Sequence, residues 1–389
     1  MNKFNIELIK EIKANKGNDY RDNWDLMSRG PEPEPFGYPA LARFFAILPT
    51  FRRIRISLGA FYRDKLRPIL RDLVRKFYPT LEYKMKLKKF DWVEYLYNLL
   101  EDNYSKQLLV KLFTFRAMGH RKVKLPQSSP EHWNNIKRVE QVDVVGPALP
   151  VDFMGITLQL RDLSSLGFDI RAYCTGGGGS YIFLQRQYEL HREGVHCKAE
   201  KGDVVIDAGA CWGETSLYFA HEVGKDGRVF AFEFIPRNLD VLRKNIAANP
   251  KLADTVTVVD QPVWDQEGQI LCYVDLGPGS RVSFEKLRED FADTQCATTT
   301  IDYMVNKFNV PRIDFIKMDI EGAELNALRG AENTILRFHP KLAISLYHSI
   351  DDFITIPRYL TSLGLPYKYY LDHHTIYENE TVLFAVPQR

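Results

Sequence analysis

The sequence predicts an α/β fold: a mainly parallel seven-stranded sheet with helices on both faces, preceded by a helical N-terminal region and short β-strands. Three observations carry this. Val204-Val205-Ile206-Asp207-Ala208-Gly209-Ala210-Cys211-Trp212-Gly213-Glu214-Thr215 reads as a buried strand, a glycine turn and the start of a helix. Residues 228–233 form a second apolar run, which again ends in an acid, Glu233. From residue 201 on, short apolar runs alternate with helix-period segments, as in parallel strands joined by helices.

Along the chain, residues 1–135 read as a basic helical region, 136–200 as short strands with a connecting helix, and 201–389 as the sheet domain. Residues 30–35, Gly-Pro-Glu-Pro-Glu-Pro, are a linker, because proline removes backbone donors and favours extended chain. Residues 58–78 and 90–118 have helical spacing. Trp92, Tyr95, Leu96, Leu99 and Leu100 make one apolar stripe, and Leu108, Leu109, Leu112 and Phe113 the next. Short strands are expected at 138–145, 156–160 and 168–173. The run of four glycines from Gly176 to Gly179 precedes a helical segment. It is either an anion-binding turn or a flexible exit from the strands.

In the sheet domain, strands are expected at 204–207, 228–233, 256–260, 314–319, 341–348, 367–372 and 381–386. Helices are expected at 214–224, 236–248, 299–308, 322–337 and 351–363. A polar hairpin at 269–285 interrupts the alternation. The last two strands are joined without a helix, so one of them runs antiparallel.

The 389 residues suffice for a large core. Five cysteines, an odd number with no C-x-x-C spacing, argue against a disulfide framework or a zinc finger and suit a reducing compartment. Neither a signal pattern nor a long uncharged apolar run is present, so a cytoplasmic protein is expected. Charge is unevenly spread. Residues 40–90 hold 14 Lys and Arg against three acids, a local net charge of +11. That segment reads as a solvated face or a subunit contact of a homo-oligomer. The alternative is an anionic partner or a peripheral membrane surface. Nucleic acid is not expected, because no recognisable nucleic-acid module accompanies the charge.

A strand, a glycine turn and a helix cradle an adenosine-bearing cofactor, and an acid ending the next strand suits its ribose hydroxyls. A carboxylate in the turn, Asp207, would repel a pyrophosphate but suits the sulfonium and ammonium of S-adenosylmethionine. A nicotinamide-dependent reductase is the competing enzyme reading, and it would require Asp207 to tolerate a pyrophosphate. A non-catalytic cofactor-binding scaffold is the third reading. Ligands of open parallel sheets bind beyond the carboxyl ends of the strands. Asp207, Glu233, Asp260, Gln261, Asp319, Glu321, His348, His373 and His374 all fall at that edge.

The strings 206–213 (IDAGACWG), 230–236 (FAFEFIP) and 316–324 (IKMDIEGAE) resemble the FkbM-type S-adenosylmethionine-dependent methyltransferases. The likeness covers about residues 180–387. It implies a class I, Rossmann-like fold and methylation of a hydroxyl on a sugar, glycan or glycosylated natural product, with a link to polysaccharide biosynthesis. It also implies cofactor contacts at Gln187, Tyr188, Asp207, Gly209, Ala210, Gly213, Thr215, Glu233, Asn238, Asp260 and Gln261, with Asp319 beside the transferred methyl. An alcohol needs its proton removed or polarised before it attacks. His348 is the first candidate base and His374 the second. Asp319, Glu321, His348 and His374 are the alternative, a divalent site for Mg, Mn or Fe. Trp264, Arg281, Tyr347 and His373 are substrate contacts by position.

Overall fold

A computed structural model describes residues 2–20, 92–151, 155–283 and 294–388. The expected linker at 30–35, the helix at 58–78 and the basic segment 40–90 lie outside the described residues, as does the side chain of Arg281.

Strands β1 (Leu149–Pro150), β2 (Thr157–Asp162) and β3 (Arg171–Cys174) form a small antiparallel sheet. A short hairpin follows, β4 (Leu190–Arg192) and β5 (Val195–Cys197). The main sheet then begins with β6 (Val204–Ala208), β7 (Arg228–Phe232) and β8 (Val256–Val259). A second small sheet contains β9 (Ile270–Val274), β10 (Arg281–Ser283) and β11 (Thr294–Ala297). The main sheet is completed by β12 (Phe315–Met318), β13 (Lys341–Ser345), β14 (Tyr367–His373) and β15 (Thr381–Pro387). Its order is β14-β15-β13-β12-β6-β7-β8. Strand β15 is antiparallel to both neighbours, and the other adjacent pairs are parallel.

The central strands read as unbroken apolar runs because both faces of the sheet are covered. Ile206, Ile316 and Leu342 point into one core, and Val205, Phe315 and Ala343 into the other, as strand alternation requires. The helices Lys3–Asn15, Val93–Leu99 and Asn103–Met118 pack onto the first face. Their Phe4, Leu8, Leu96, Leu109 and Phe113 are buried in the same core as Ile206 and Ile316. The described part of residues 1–135 is thus continuous with the sheet's hydrophobic core.

Four expectations need correction. Residues 138–145 are not a strand. The helix Pro130–Glu140 runs through the first of them, opened by Pro130 in its first turn and closed on Lys137 and Arg138. The glycine run is itself helical, Gly176–Gly179, capped by Thr175. A Cβ on Gly179 would stand 2.8 Å from Val139 Cγ1, so glycine here lets two helices touch. The expected helix at 90–118 is two helices, because Asp102 caps a new start by accepting from Ser105 N at 2.5 Å. The expected helix at 322–337 is also two, Glu324–Arg329 and Glu332–Phe338. They part at Gly330, where a Cβ would meet the Trp264 carbonyl oxygen at 2.0 Å.

Candidate active site

The turn after β6 is built around a buried ion pair. Asp207 and Lys317 are Cα partners on β6 and β12, so both side chains leave the same face. Lys317 Nζ lies 3.0 Å from Asp207 Oδ1, with both side chains almost wholly buried. The other oxygen, Asp207 Oδ2, accepts from Thr215 Oγ1 at 2.7 Å and Ser216 Oγ at 2.6 Å. Lys317 Nζ also donates to Gly209 O at 2.7 Å and Ala208 O at 3.2 Å. Asp207 and Thr215 therefore spend their polar atoms shaping the turn. Gly209 has φ +84°, and a Cβ there would stand 1.8 Å from Asp319 O. Gly213 has φ +93° and abuts Leu242. Positive φ and close packing against Asp319 and Leu242 thus require glycine at both positions.

Glu233 closes β7 and folds back on the chain. Its Oε1 accepts from Phe234 N at 2.7 Å and Ile235 N at 2.8 Å, and its Oε2 accepts from Asn238 Nδ2 at 3.2 Å. Burial pushes its carboxyl up to about 7, against the pull of those backbone donors. Glu214, the first residue of the helix after the turn, is also pushed up to about 7, by burial.

Beyond β12 and β13 stands an acidic cluster. Asp319 Oδ2 accepts from Tyr188 Oη at 2.7 Å, and Asp319 Oδ1 from Tyr347 Oη at 2.8 Å. His348 lies among carboxylates: Nδ1 is 2.9 Å from Glu324 Oε1, and Nε2 is 3.3 Å from Asp319 Oδ1 and 3.7 Å from Glu321 Oε1. Burial opposes a charge on the ring, but Glu321, Glu324 and Asp319 outweigh it and push His348 up to about 11. These carboxylates favour the charged ring, which neutralises and positions them.

His374, the second candidate base, is buried, and burial lowers its pKa. His373 is wholly buried beside Thr381 Oγ1 at 2.9 Å, and burial and then His374 push it down to about 3. Neither histidine touches Asp319, so the expected grouping with it is not formed. Among the described residues, the group with metal-ligand spacing is Asp319, Glu324 and His348, whose ligand atoms lie within 4.8 Å of one another. His374 is not in it. A divalent cation and the His348 proton would compete for these carboxylates.

The remaining sequence candidates scatter. Tyr347 and Tyr188 bond Asp319 directly. Ala210 is buried in the turn. Trp264 packs with Leu271 and Ala323 in a small core. Asp260 is exposed and lies 3.8 Å from Arg243, and Gln261 reaches Ala297 O at 3.5 Å. Sequence reading missed Lys317, Glu324 and Glu380. The first was detectable as a lysine inside an apolar strand, which must find a carboxylate. Glu380 carries no such signal. It arrives through the β14–β15 turn, and its Oε2 accepts from Gln187 Nε2 at 2.5 Å.

Residues 196–368 match the profile of the Methyltransferase FkbM domain. No curated protein sequence matches the chain. Among solved structures, a methyltransferase FkbM from Methylobacillus flagellatus KT is 22% identical with a TM-score of 0.47. That match covers 77% of this chain and 59% of the other, so the chain spans well under two thirds of that relative's length. Fibrillarin from Aeropyrum pernix, in complex with natively bound S-adenosyl-L-methionine, is 14% identical with a TM-score of 0.37. It covers 63% of this chain and 100% of its own.

Proposed function

We propose that this chain, through its methyltransferase FkbM domain, is an S-adenosylmethionine-dependent O-methyltransferase acting on a hydroxyl of a sugar, glycan or glycosylated small molecule. One observation carries the reading: an acidic cluster around Asp319 adjoins a bare glycine turn. Four carboxylates, Asp319, Glu321, Glu324 and Glu380, interact with the single imidazolium of His348, which suits a cationic ligand. Glu233 would hold the ribose, with Asn238 steadying its carboxylate. Gly209 and Gly213 would let the cofactor approach the backbone, and Asp207 and Lys317 would keep that turn rigid.

When bound, the cofactor would supply an electrophilic methyl group for transfer to the acceptor oxygen, with neutral S-adenosylhomocysteine as the leaving group. Tyr188 and Tyr347 orient Asp319 beside that point. The acceptor's proton then passes to a carboxylate of the cluster and not to an imidazole. Arrangement of the acceptor contributes most of the rate, because a neutral alcohol and a sulfonium need little beyond orientation and proton removal.

The reading is tested in two stages. Calorimetry compares S-adenosylhomocysteine with NAD and NADP. Binding of a dinucleotide in place of S-adenosylhomocysteine would favour the reductase. Mass spectrometry then follows methyl transfer to a panel of methyl glycosides, with amines and thiols as comparison acceptors. Transfer to an amine or thiol alone would overturn the hydroxyl assignment.

A further inference from the structure

Glu380 occupies the turn into β15 with φ +62°, a conformation that non-glycine residues seldom adopt. Glu321, which faces Glu380, shares this left-handed backbone with φ +57°. Such strain persists where surrounding contacts enforce it, and it gathers at ligand sites. Two amides hold the Glu380 carboxylate: Gln187 Nε2 at 2.5 Å and Asn379 Nδ2 at 3.1 Å. Gln187 Nε2 also donates to Tyr188 Oη at 3.2 Å, and Tyr188 in turn donates to Asp319. Glu380 and Asp319 are thus the two ends of one short hydrogen-bonded chain.

The charged and titratable groups facing Glu380 are Asp319 and Glu321 after β12, Tyr347 and His348 after β13, and Tyr181 and Tyr188 before β4. His348 is already shared among Asp319, Glu321 and Glu324. No lysine or arginine among the described residues forms an ion pair with Glu380, so its charge is left for something that enters the site.

We propose that Glu380 is the residue by which this site distinguishes positively charged S-adenosylmethionine from its neutral product, S-adenosylhomocysteine. This rests on the cofactor reading above. With the ribose on Glu233 at β7, the methionine half crosses β6 towards β12, which lies on the other side of β6. Asp319 and the hydrogen-bonded chain that ends at Glu380 would then hold the sulfonium. A sulfonium has no proton to donate, so charge is what a protein can recognise in it. In the free site, burial and then Asp319 push Glu380 up to about 7. An arriving cation favours the ionised carboxylate, so binding expels the Glu380 proton to solvent. Once the methyl has left, the sulfur is neutral and that driving force is gone. The product is then held by its ribose, adenine and amino-acid contacts alone.

Calorimetry on the full chain tests this with S-adenosylmethionine and S-adenosylhomocysteine as the two probes, at pH 6 and pH 8. Both probes carry the same ribose, so S-adenosylhomocysteine reports the titration of Glu233 and Glu214. The expected result is that the preference for S-adenosylmethionine grows about tenfold between pH 6 and pH 8, as one-proton linkage near pH 7 requires. Near pH 6, two buffers of different ionisation enthalpy should show close to one extra proton released with S-adenosylmethionine. Glu380→Gln should abolish the pH-dependent preference and leave S-adenosylhomocysteine affinity unchanged. Gln187→Leu removes a donor to the charged carboxylate and should move the onset of the preference to higher pH. Identical pH dependence of the two probes in the unmodified protein overturns the proposal, as does a preference that persists in a folded Glu380→Gln variant. Binding of neither probe overturns the cofactor reading itself.

Discussion

A buried carboxylate and a cluster of buried and partly buried ones stand one strand apart in this protein and have opposite electrostatic character. At the end of β6, Asp207 is fully paired: Lys317 takes one oxygen, and Thr215 and Ser216 take the other. At the ends of β12, β13 and the β14–β15 turn, Asp319, Glu321, Glu324 and Glu380 share a single imidazolium. The first group is closed and sets the shape of a turn. The second carries surplus negative charge and is open to a cation. A carboxylate at a strand end is therefore not a ligand contact by residue type alone. Its partners decide whether any charge is left over.

The sharpest way to break this contrast is to open the closed pair. Lys317→Met leaves Asp207 buried without a counter-charge, which should cost about 3–5 kcal/mol of stability. Urea denaturation measures it, and a cost below about 1 kcal/mol would mean that Asp207 is solvated and the pair is not structural. Gly209→Ala attacks the contact joining the two groups. With φ +84° and a Cβ 1.8 Å from Asp319 O, it should cost about 2–4 kcal/mol and displace Asp319. S-adenosylhomocysteine titration should show binding lost along with stability. A variant as stable as the parent would show that the turn can move away from β12.

Glu233→Ala should act on the ligand and not on the contrast itself. Loss of charged hydrogen bonds to two ribose hydroxyls is worth about 1.5–3 kcal/mol, a roughly ten- to hundredfold weaker affinity for both cofactor forms. Calorimetry that found only S-adenosylmethionine weakened would move Glu233 from the ribose to the sulfonium.

The smallest effect is the pH dependence of stability in the ligand-free protein. Glu214, Glu233 and Glu380 stand near 7 when folded, against 4.5 for an ordinary glutamate. The folded state keeps protons that the unfolded chain has lost, so stability falls as pH rises from about 4.5 through 7. His348, pushed up to about 11, contributes stability that is complete below pH 6.5 and fades as pH rises through 11. Buried neutral His373 and His374 act in the opposite sense below pH 6.5. Tm should therefore drop by a few degrees between pH 6.5 and pH 8.5. A flat profile would mean that these groups are solvated in the folded state.

Basic segment 40–90 leaves membrane or anionic partners and oligomeric state as proposals. No helix among the described residues is long and apolar enough to cross a membrane.

The main sheet was legible in the chain's apolar runs. Runs such as 204–207 and 315–318 can be buried on both faces only as inner parallel strands, so their number, order of occurrence and terminal acids were legible. The glycine turn was legible for a related reason: only glycine tolerates the backbone at Gly209 and Gly213 without strain. Local signals were weaker where a distant atom intervenes. The Trp264 carbonyl splits a helix at Gly330, and Val139 requires bare backbone at Gly179. Tertiary structure alone decided the chemistry of the site. His348 looks like a base as a strand-end residue, but Glu324, Glu321 and Asp319 converge on it and keep it charged. Glu380 was unreadable, because its link to Asp319 runs through Gln187 and Tyr188, nearly two hundred residues away in sequence. Periodicity and turn chemistry are local properties of a chain. A proton's affinity for a side chain depends on every charge near it in space, and folding is what sets those neighbours.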